Sequence, residues 1–206
     1  MSGLIGVVGF IGSGKGTVGD ILSNEYGYTK DSFAAPLKDA VAVIFGWDRL
    51  ALEGSTQWSR DWREMADEFW SEQFGYKFTP RLALQLMGTE AGRNVFHTNL
   101  WTASLLKRAM GRTQTVVTDV RFKNEIKAIH DAGGIVIRIQ RGDDPIWFST
   151  AAKANAGDGQ AGEMMCGIHQ SEWDWIGQKM DYTLLNDSTI EDLSAKVAAV
   201  ILDIHK

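Results

Sequence analysis

The chain has 206 residues, a formal net charge of −5 and a sequence pI near 5.4. This length fits one domain, and a net-acidic chain is not expected to coat nucleic acid, although it can hold a local basic pocket. The single cysteine, Cys166, excludes an internal disulfide, and no apolar run approaches the roughly 20 residues of a membrane helix. With an N-terminus unlike a signal peptide, these features predict a soluble cytoplasmic protein that acts at no membrane.

The most informative stretch is the glycine-rich sequence at positions 9–17, GFIGSGKGT. It follows an apolar run and precedes a helical pattern, which is the strand–turn–helix context of a phosphate-binding loop. Backbone N–H groups, the helix N-terminus and the Lys15 ammonium would together surround a triphosphate. Gly16 replaces the Ser or Thr that usually follows the lysine, so Thr17 offers the nearest hydroxyl for a metal ion. The predicted phosphate-binding residues are Gly12, Ser13, Gly14, Lys15, Gly16 and Thr17.

Strand and helix patterns alternate along the rest of the chain. Strands are predicted at 4–8, 28–33, 115–118, 135–139 and 182–185, and helices at 15–25, 36–45, 81–87, 99–110, 124–132 and 190–204. We expect Gly88 to end the helix that begins at Pro80, and 142–170 to be a mobile segment with a short helix near 148–154. The alternation predicts an α/β three-layer sandwich, whose parallel sheet binds ligands beyond the carboxyl ends of its strands.

The segment 47–79 is rich in tryptophan and phenylalanine. Its spacing places Trp58, Trp62, Met65 and Phe69 on one helical face. These aromatic side chains are either core or a wall on which a base stacks, and the sequence leaves both interpretations open.

Phosphoryl transfer needs positioning and neutralisation of charge more than it needs a nucleophilic triad. Asp119 directly follows the strand predicted at 115–118. A carboxylate at this strand end could hold Mg²⁺ through water. Arg121 could bridge the transferred phosphoryl group or an acceptor phosphate through its planar fork. Alternatively, Arg121 is an exposed arginine that pairs with Glu125. The four histidines are far apart and show no metal-ligand spacing.

Further candidates could contact an acceptor or close the site. Arg81 and Gln85 are four residues apart on one predicted helix face, which could read a phosphate and a base edge or could simply be solvated. Arg141 precedes the lid-like segment 142–170 and is the preferred lid cation, whereas Arg138 is as readily structural. Lys38 could contact an acceptor phosphate or lie in solvent.

Several of these motifs occur together in one known family. They include the phosphate loop, Arg81-x-x-x-Gln85-x-x-Gly-Thr, Trp101 and Thr-Asp119-Val-Arg121. In this order they resemble the bacteriophage deoxynucleoside monophosphate kinases, which belong to the P-loop nucleotide kinases. The resemblance covers nearly the whole chain except 47–79 and 142–168.

The resemblance implies one P-loop NTPase domain over 1–206, with a five-stranded parallel sheet, an insertion of acceptor-binding helices at about 34–112 and a lid at about 142–170. It implies ATP and Mg²⁺, a deoxynucleoside monophosphate (dNMP) acceptor, a homodimer, and the host cytoplasm if the protein is phage-encoded. Catalysis would rest on Lys15, Asp119, Arg121 and Arg141. The acceptor would contact Lys38, Arg81, Gln85, Trp101 and Arg121.

Two alternatives remain open from the sequence. One is a small-metabolite phosphate kinase, because animal phosphomevalonate kinases share a similar order of motifs. The other is a nucleotide-binding regulatory module without phosphoryl transfer. Such a module would not need Arg81, Arg121 and Arg141 directed toward one cleft.

Overall fold

The structure is a computed structural model that describes residues 3–205. Its described part contains one five-stranded sheet in the order β2-β3-β1-β4-β5, and every neighbouring pair is parallel. The strands are β1 (Gly3–Val8), β2 (Thr29–Asp31), β3 (Gln114–Val120), β4 (Ile135–Gln140) and β5 (Tyr182–Leu185). The predicted fold class is confirmed, and β3 extends beyond Asp119 to Val120.

Helices connect and flank the strands. They are α1 (Lys15–Tyr26), α2 (Ala35–Phe45), α3 (Gln57–Glu64), α4 (Glu68–Phe74), α5 (Pro80–Gln85), α6 (Leu100–Ala109), α7 (Lys123–Asp131), α8 (Phe148–Asn155), α9 (Gly159–Met164) and α10 (Ile190–Ile204). A π-helix runs over Leu86–Phe96, and 3₁₀ turns lie at Ala51–Glu53 and Gln170–Glu172. Across residues 3–205, none of these helices is both long and apolar enough to span a bilayer.

The sheet is covered on both faces, which explains its apolar strands. On one face, α1 and α10 pack against alternate residues of β1 and β4 such as Ile5 and Ile137. On the other, Ile129 of α7 lies so close to Gly6 that any Cβ there would collide with it. Glycine at position 6 therefore lets α7 approach the sheet, and three layers result.

The chain divides into two compact units. The first comprises residues up to Ser32 together with those from Leu105 onward, and it contains the whole sheet. The second is Phe33–Ser104, and it is helical. Its core contains Leu37, Leu52 and Phe78, with partly buried tryptophans packed around them.

Two helix predictions in the second unit were wrong. Gly88 does not end a helix, because the chain continues from α5 directly into the π-helix. Glycine is needed there for packing instead: a Cβ at Gly88 would press on Leu37, and its carbonyl accepts the indole N–H of Trp101 at 2.8 Å. The helix expected through Met65 is also interrupted, since Met65 has extended backbone angles and separates α3 from α4.

Part of the aromatic segment belongs to the core of the second unit. Trp47, Trp62 and Trp70 pack around Phe78, and the indole N–H groups of Trp47 and Trp70 donate to Asp67 and to a backbone carbonyl. Hydrogen-bonded indoles of this kind are typical of buried tryptophans. Trp58, Phe69 and Tyr76 differ, because 65%, 60% and 50% of them are exposed, and Trp58 stacks on Trp62.

The segment 142–170 contains two helices, α8 and α9, of which α8 agrees with the predicted short helix. Its beginning is packed against the phosphate loop, because Phe10 contacts the rings of Trp147, Phe148 and Trp175. Arg138 lies over the Phe148 ring at 4.8 Å and pairs with Asp144. Arg138 therefore has the structural role that the sequence left open, and a lid that moves stays a prediction.

An ion cluster inside the first unit ties β2 to α6. The Asp31 side chain, 5% exposed, accepts from Arg108 at 2.9 and 3.0 Å and from Arg112 at 2.7 Å. Burial alone would raise the pKa of Asp31, but the hydrogen bonds from Arg108, the Ser32 backbone and Arg112 lower it below its usual value. The carboxylate is therefore bound in its charged form.

We expect Asp31→Asn to lower the free energy of unfolding by about 3 kcal/mol at pH 7, because it leaves two arginines without their shared carboxylate. The pKa of Asp31 is lowered in the folded state, so this contribution is present above the unfolded value of about 3.9 and is lost as pH falls through the folded value. Urea unfolding of both proteins measures the difference. Asp20→Asn, which breaks an exposed pair with Lys30, should cost under about 1 kcal/mol. Equal losses for the two variants would contradict this account.

Candidate active site

A cavity of about 670 Å³ opens at the carboxyl ends of the strands in the first unit. Its wall is built by segments that follow β1, β4 and β5 and by Thr118 near the end of β3, which is where an open parallel sheet binds ligands. The lining residues are Gly12, Gly14, Lys15, Gly16, Thr17, Thr118, Arg141, Asn186, Ser188, Ile190 and Leu193. The phosphate loop and Arg141 are thus brought together as predicted.

Position 14 of the phosphate loop requires glycine. Gly14 has φ +103°, and a Cβ there would collide with the side-chain amide of Asn186. That amide donates to the Ser13 carbonyl at 2.8 Å, so it holds the loop from the β5 side. A Cβ at Gly16 would meet no atom within 4 Å, so the fold itself does not require the missing hydroxyl side chain at this position.

The Lys15 ammonium lies over its own loop. It donates to the carbonyls of Gly9 and Phe10, both at 2.8 Å. The pKa of Lys15 is lowered to about 8, mainly by burial and also by the positive charge of Arg121, while Glu172 opposes the shift. A polyphosphate bound here would favour the charged lysine, because an opposite charge within a few ångströms stabilises it.

This pKa makes nucleotide binding dependent on pH. We expect the Kd for ADP to rise about tenfold between pH 7 and 9, because most free enzyme then carries a neutral Lys15 that must take up a proton to bind phosphates well. Isothermal titration across this range measures the effect. In Lys15→Met the Kd should be higher but independent of pH over the same range. A flat profile for the unmodified protein would contradict the assignment.

Arg121 follows β3 and is held by its backbone. The Glu125 carboxylate, buried in the first turn of α7, accepts the backbone N–H groups of Arg121 and Phe122 at 2.8 and 3.1 Å. The Arg121 guanidinium lies 3.5 Å from Glu172, which is 51 residues away in sequence, and 45% of its side chain is exposed. The predicted alternative, a side-chain pair with Glu125, is wrong, because Glu125 binds the backbone instead.

Asp119 and Thr17 are the candidates for a metal ion. Thr17 lines the cavity, and Asp119 directly follows Thr118, which lines it too. Neither Asp119 nor Arg121 is itself a lining residue. A carboxylate and a hydroxyl are hard oxygen donors of the kind that Mg²⁺ takes beside phosphates and water. Among residues 3–205, no three His, Cys, Asp or Glu side chains cluster as metal ligands do.

The remaining acceptor candidates all lie in the second unit. The alternative that placed Lys38 in solvent is wrong. Its side chain is 14% exposed and pairs with Glu53 at 2.6 Å. Arg81 pairs with Glu64 at 2.8 Å, and Gln85 is exposed at the end of α5. The indole N–H of Trp101 donates to the Gly88 carbonyl, so the face of the ring is the part of Trp101 that could contact a ligand.

Four residues that lie at or near the site were not predicted from the sequence. Thr118, Asn186 and Ser188 line the cavity, and Glu172 lies beside Arg121. Their roles depend on contacts between residues far apart in sequence, such as the 173 residues from Ser13 to Asn186.

These features define a class of protein. A glycine-rich loop between β1 and α1 carries a lysine above its backbone, and a second cation, Arg141, faces the same cavity at the strand ends. This is the arrangement of a P-loop phosphotransferase of the α/β class.

Comparison with known proteins identifies the family. A protein of Acanthamoeba polyphaga mimivirus named as a deoxynucleotide monophosphate kinase is 30% identical over 213 residues, covering 96% of this chain and 95% of the relative. The deoxynucleoside-5′-monophosphate kinase of Escherichia phage T5 is 25% identical over 177 residues, covering 61% and 70%. The chain therefore belongs to the deoxynucleotide monophosphate kinase family, and the resemblance predicted from its motifs is confirmed. It is an ATP-dependent nucleoside-phosphate kinase.

Other comparisons are more distant. No protein-family model matches the chain. Among solved structures, dephospho-CoA kinase from Campylobacter jejuni has a TM-score of 0.48 and 18% identity, covering 98% of this chain and 97% of that one. Shikimate kinase from Aquifex aeolicus has a TM-score of 0.46 and 15% identity, covering 98% of both chains.

Proposed function

We propose that this protein transfers the γ-phosphoryl group of ATP to a dNMP, giving a deoxynucleoside diphosphate (dNDP) and ADP. The observation that carries the proposal is the cavity in which Lys15, the phosphate loop and Arg141 converge. Its volume suits a nucleotide-sized ligand. The loop would bind the ATP phosphates, and the part of the cavity near Asn186, Ser188 and Ile190 would receive the nucleoside.

The chain's own charges account for catalysis. An acceptor that is already a phosphate presents an anionic oxygen, so it needs no general base. Lys15 and Arg121 would stabilise the charge on the transferred group, and Arg141 would bring positive charge from the side of the lid. Glu125 binds the backbone from which the Arg121 side chain extends.

We further propose that Asp119, through water, and Thr17 hold Mg²⁺ beside the ATP phosphates. The ion would neutralise phosphate charge and orient the triphosphate. Gly16 supplies no hydroxyl, so the loop would contribute less to the ion than it does when Ser or Thr stands there.

For the acceptor we propose contacts from Lys38, Arg81, Gln85 and the ring of Trp101, in addition to Arg121. Arginine suits phosphate because its fork makes paired hydrogen bonds, and an amide such as Gln85 can read a base edge. We also propose that the enzyme works in the cytoplasm as a homodimer, with no nucleic-acid partner, on ATP and dNMP as small molecules.

The acceptor class is tested by measuring ADP release with a panel of dNMPs, ribonucleoside monophosphates and phosphomevalonate. The proposal expects turnover with at least one dNMP at a higher kcat/KM than with phosphomevalonate. Turnover with phosphomevalonate alone would assign a metabolite kinase. Tight ATP binding without turnover of any acceptor would indicate a regulatory module.

A further inference from the structure

Arg63, near the end of α3, has a side chain without a partner. Its Nε is buried and donates no hydrogen bond, and within residues 3–205 its guanidinium forms no ion pair. The nearby carboxylates are already engaged: Glu64 pairs with Arg81 at 2.8 Å, and Glu53 pairs with Lys38 at 2.6 Å. A half-buried charge without a counter-ion is costly, so its presence calls for an explanation.

The surroundings of Arg63 include charges of both signs, of which Arg81 has the largest effect. Burial lowers the pKa of Arg63, the charges of Arg81 and Arg60 lower it further, and Glu64 and Glu53 oppose the shift. The three arginines belong to the same unit, Phe33–Ser104. Their mutual repulsion would be relieved by an anion bound among them.

The guanidinium of Arg63 also makes a close contact within its unit. It packs directly on the backbone of Gly54, where any Cβ would collide with it. Arg60 is held nearby, because it donates to the carbonyls of Gly54 and Ser55 at 3.3 Å and to Gln57 at 3.1 Å. Donors held in position before binding lose little side-chain entropy when a ligand arrives.

We propose that Arg63, together with Arg60 and Arg81, binds the 5′-phosphate of the dNMP acceptor. The proposal rests on the proposed function. It adds Arg60 and Arg63 to Arg81, which was the one arginine of the second unit predicted to contact the acceptor. A phosphate dianion has the charge that the cluster lacks and offers oxygen acceptors to the free guanidinium donors.

The test compares Arg63→Gln with Lys77→Gln, which removes the same charge from an exposed position in the same unit. For Arg63→Gln we expect the KM for the best dNMP to rise about tenfold to hundredfold, with the KM for ATP within about twofold of the unmodified value. Affinity for the matching unphosphorylated deoxynucleoside should not change. Lys77→Gln should leave all three values unchanged.

Thermal unfolding without ligand separates binding from structure. Because the proposal treats Arg63 as an uncompensated charge, Arg63→Gln should melt at the same temperature as the unmodified protein or higher. An unchanged KM for dNMP would overturn the proposal. A clearly lower melting temperature, or failure of the variant to fold, would overturn it too, because Arg63 would then be structural.

The anion site can be tested even if the proposed function fails. If the unmodified protein phosphorylates no dNMP, the anion site is tested with inorganic phosphate in the Lys15→Met background, where the loop binds phosphate poorly. Phosphate should raise the melting temperature of Lys15→Met but not that of Lys15→Met with Arg63→Gln. Equal shifts in the two proteins would overturn the anion site.

Discussion

Replacing Lys15 by methionine is expected to lower kcat for phosphoryl transfer by about a thousandfold, because the ammonium is the cation of the phosphate loop that lines the cavity. Methionine keeps much of the side-chain volume and removes the charge. The loop should keep its shape, since Asn186 holds the Ser13 carbonyl independently of Lys15. Steady-state kinetics with saturating ATP and dNMP measure the loss.

Lys127→Met is the matched control for Lys15. Its side chain is 73% exposed and pairs only across one helix turn with Asp131. This variant should keep kcat within about twofold, since exposed pairs of this kind contribute little. If Lys15→Met retained more than a tenth of the activity, the phosphate loop could not be the centre of the reaction.

Replacing Arg121 by alanine is expected to lower kcat by about a thousandfold, the lower end of the effects of arginines that stabilise phosphoryl transfer. The Kd for ADP should change little, because Arg121 is not among the residues that line the nucleotide cavity. The fold should also persist, because Glu125 binds the backbone of residue 121 rather than its side chain.

The separate effects of Arg121→Ala on kcat and on the KM for dNMP show which group Arg121 contacts. A fall in kcat at constant KM for dNMP means contact with the transferred group, whereas a rise in KM means contact with the acceptor phosphate. Arg121→Lys should recover part of the loss, since it restores a charge without the planar fork. Lys179→Ala, at an exposed position in the same unit, is the control and should be fully active. A nearly active Arg121→Ala enzyme would refute the role.

The sheet and most of its helices could be predicted from the sequence because their signals are local. The strand at Tyr182–Leu185 and the helix at Ile190–Ile204 agree with the predicted bounds. Both have the apolar spacing that burial requires, and the loop at 9–17 has a sequence that few other structures need.

The errors came where tertiary packing replaced a local rule. Gly88 has the sequence of a helix end, yet it serves close contact with Leu37 and Trp101. The aromatic residues of 57–74 fit one continuous helical face, but two N-caps, Thr56 and Asp67, start separate helices. Glycine and capping residues have several uses, and the sequence alone does not say which one applies.

The site was predictable in its phosphate loop and less so elsewhere. Lys15 and Arg141 line one cavity, as their places at strand ends suggested. The alternative in which Glu125 pairs with the Arg121 side chain is wrong, because Glu125 binds the backbone instead. Arg63 drew no attention, because its lack of a partner is visible only when the positions of Gly54, Glu53 and Glu64 are known.

The most direct test of the central claim is to follow the label from [γ-³²P]ATP in the presence of a dNMP. The account predicts that label appears in a dNDP, at its β-phosphate, in an amount equal to the ADP formed, and that Lys15→Met forms almost none. Release of label as inorganic phosphate at the same rate with and without dNMP would contradict it, because the protein would then be a nucleotide hydrolase rather than a kinase.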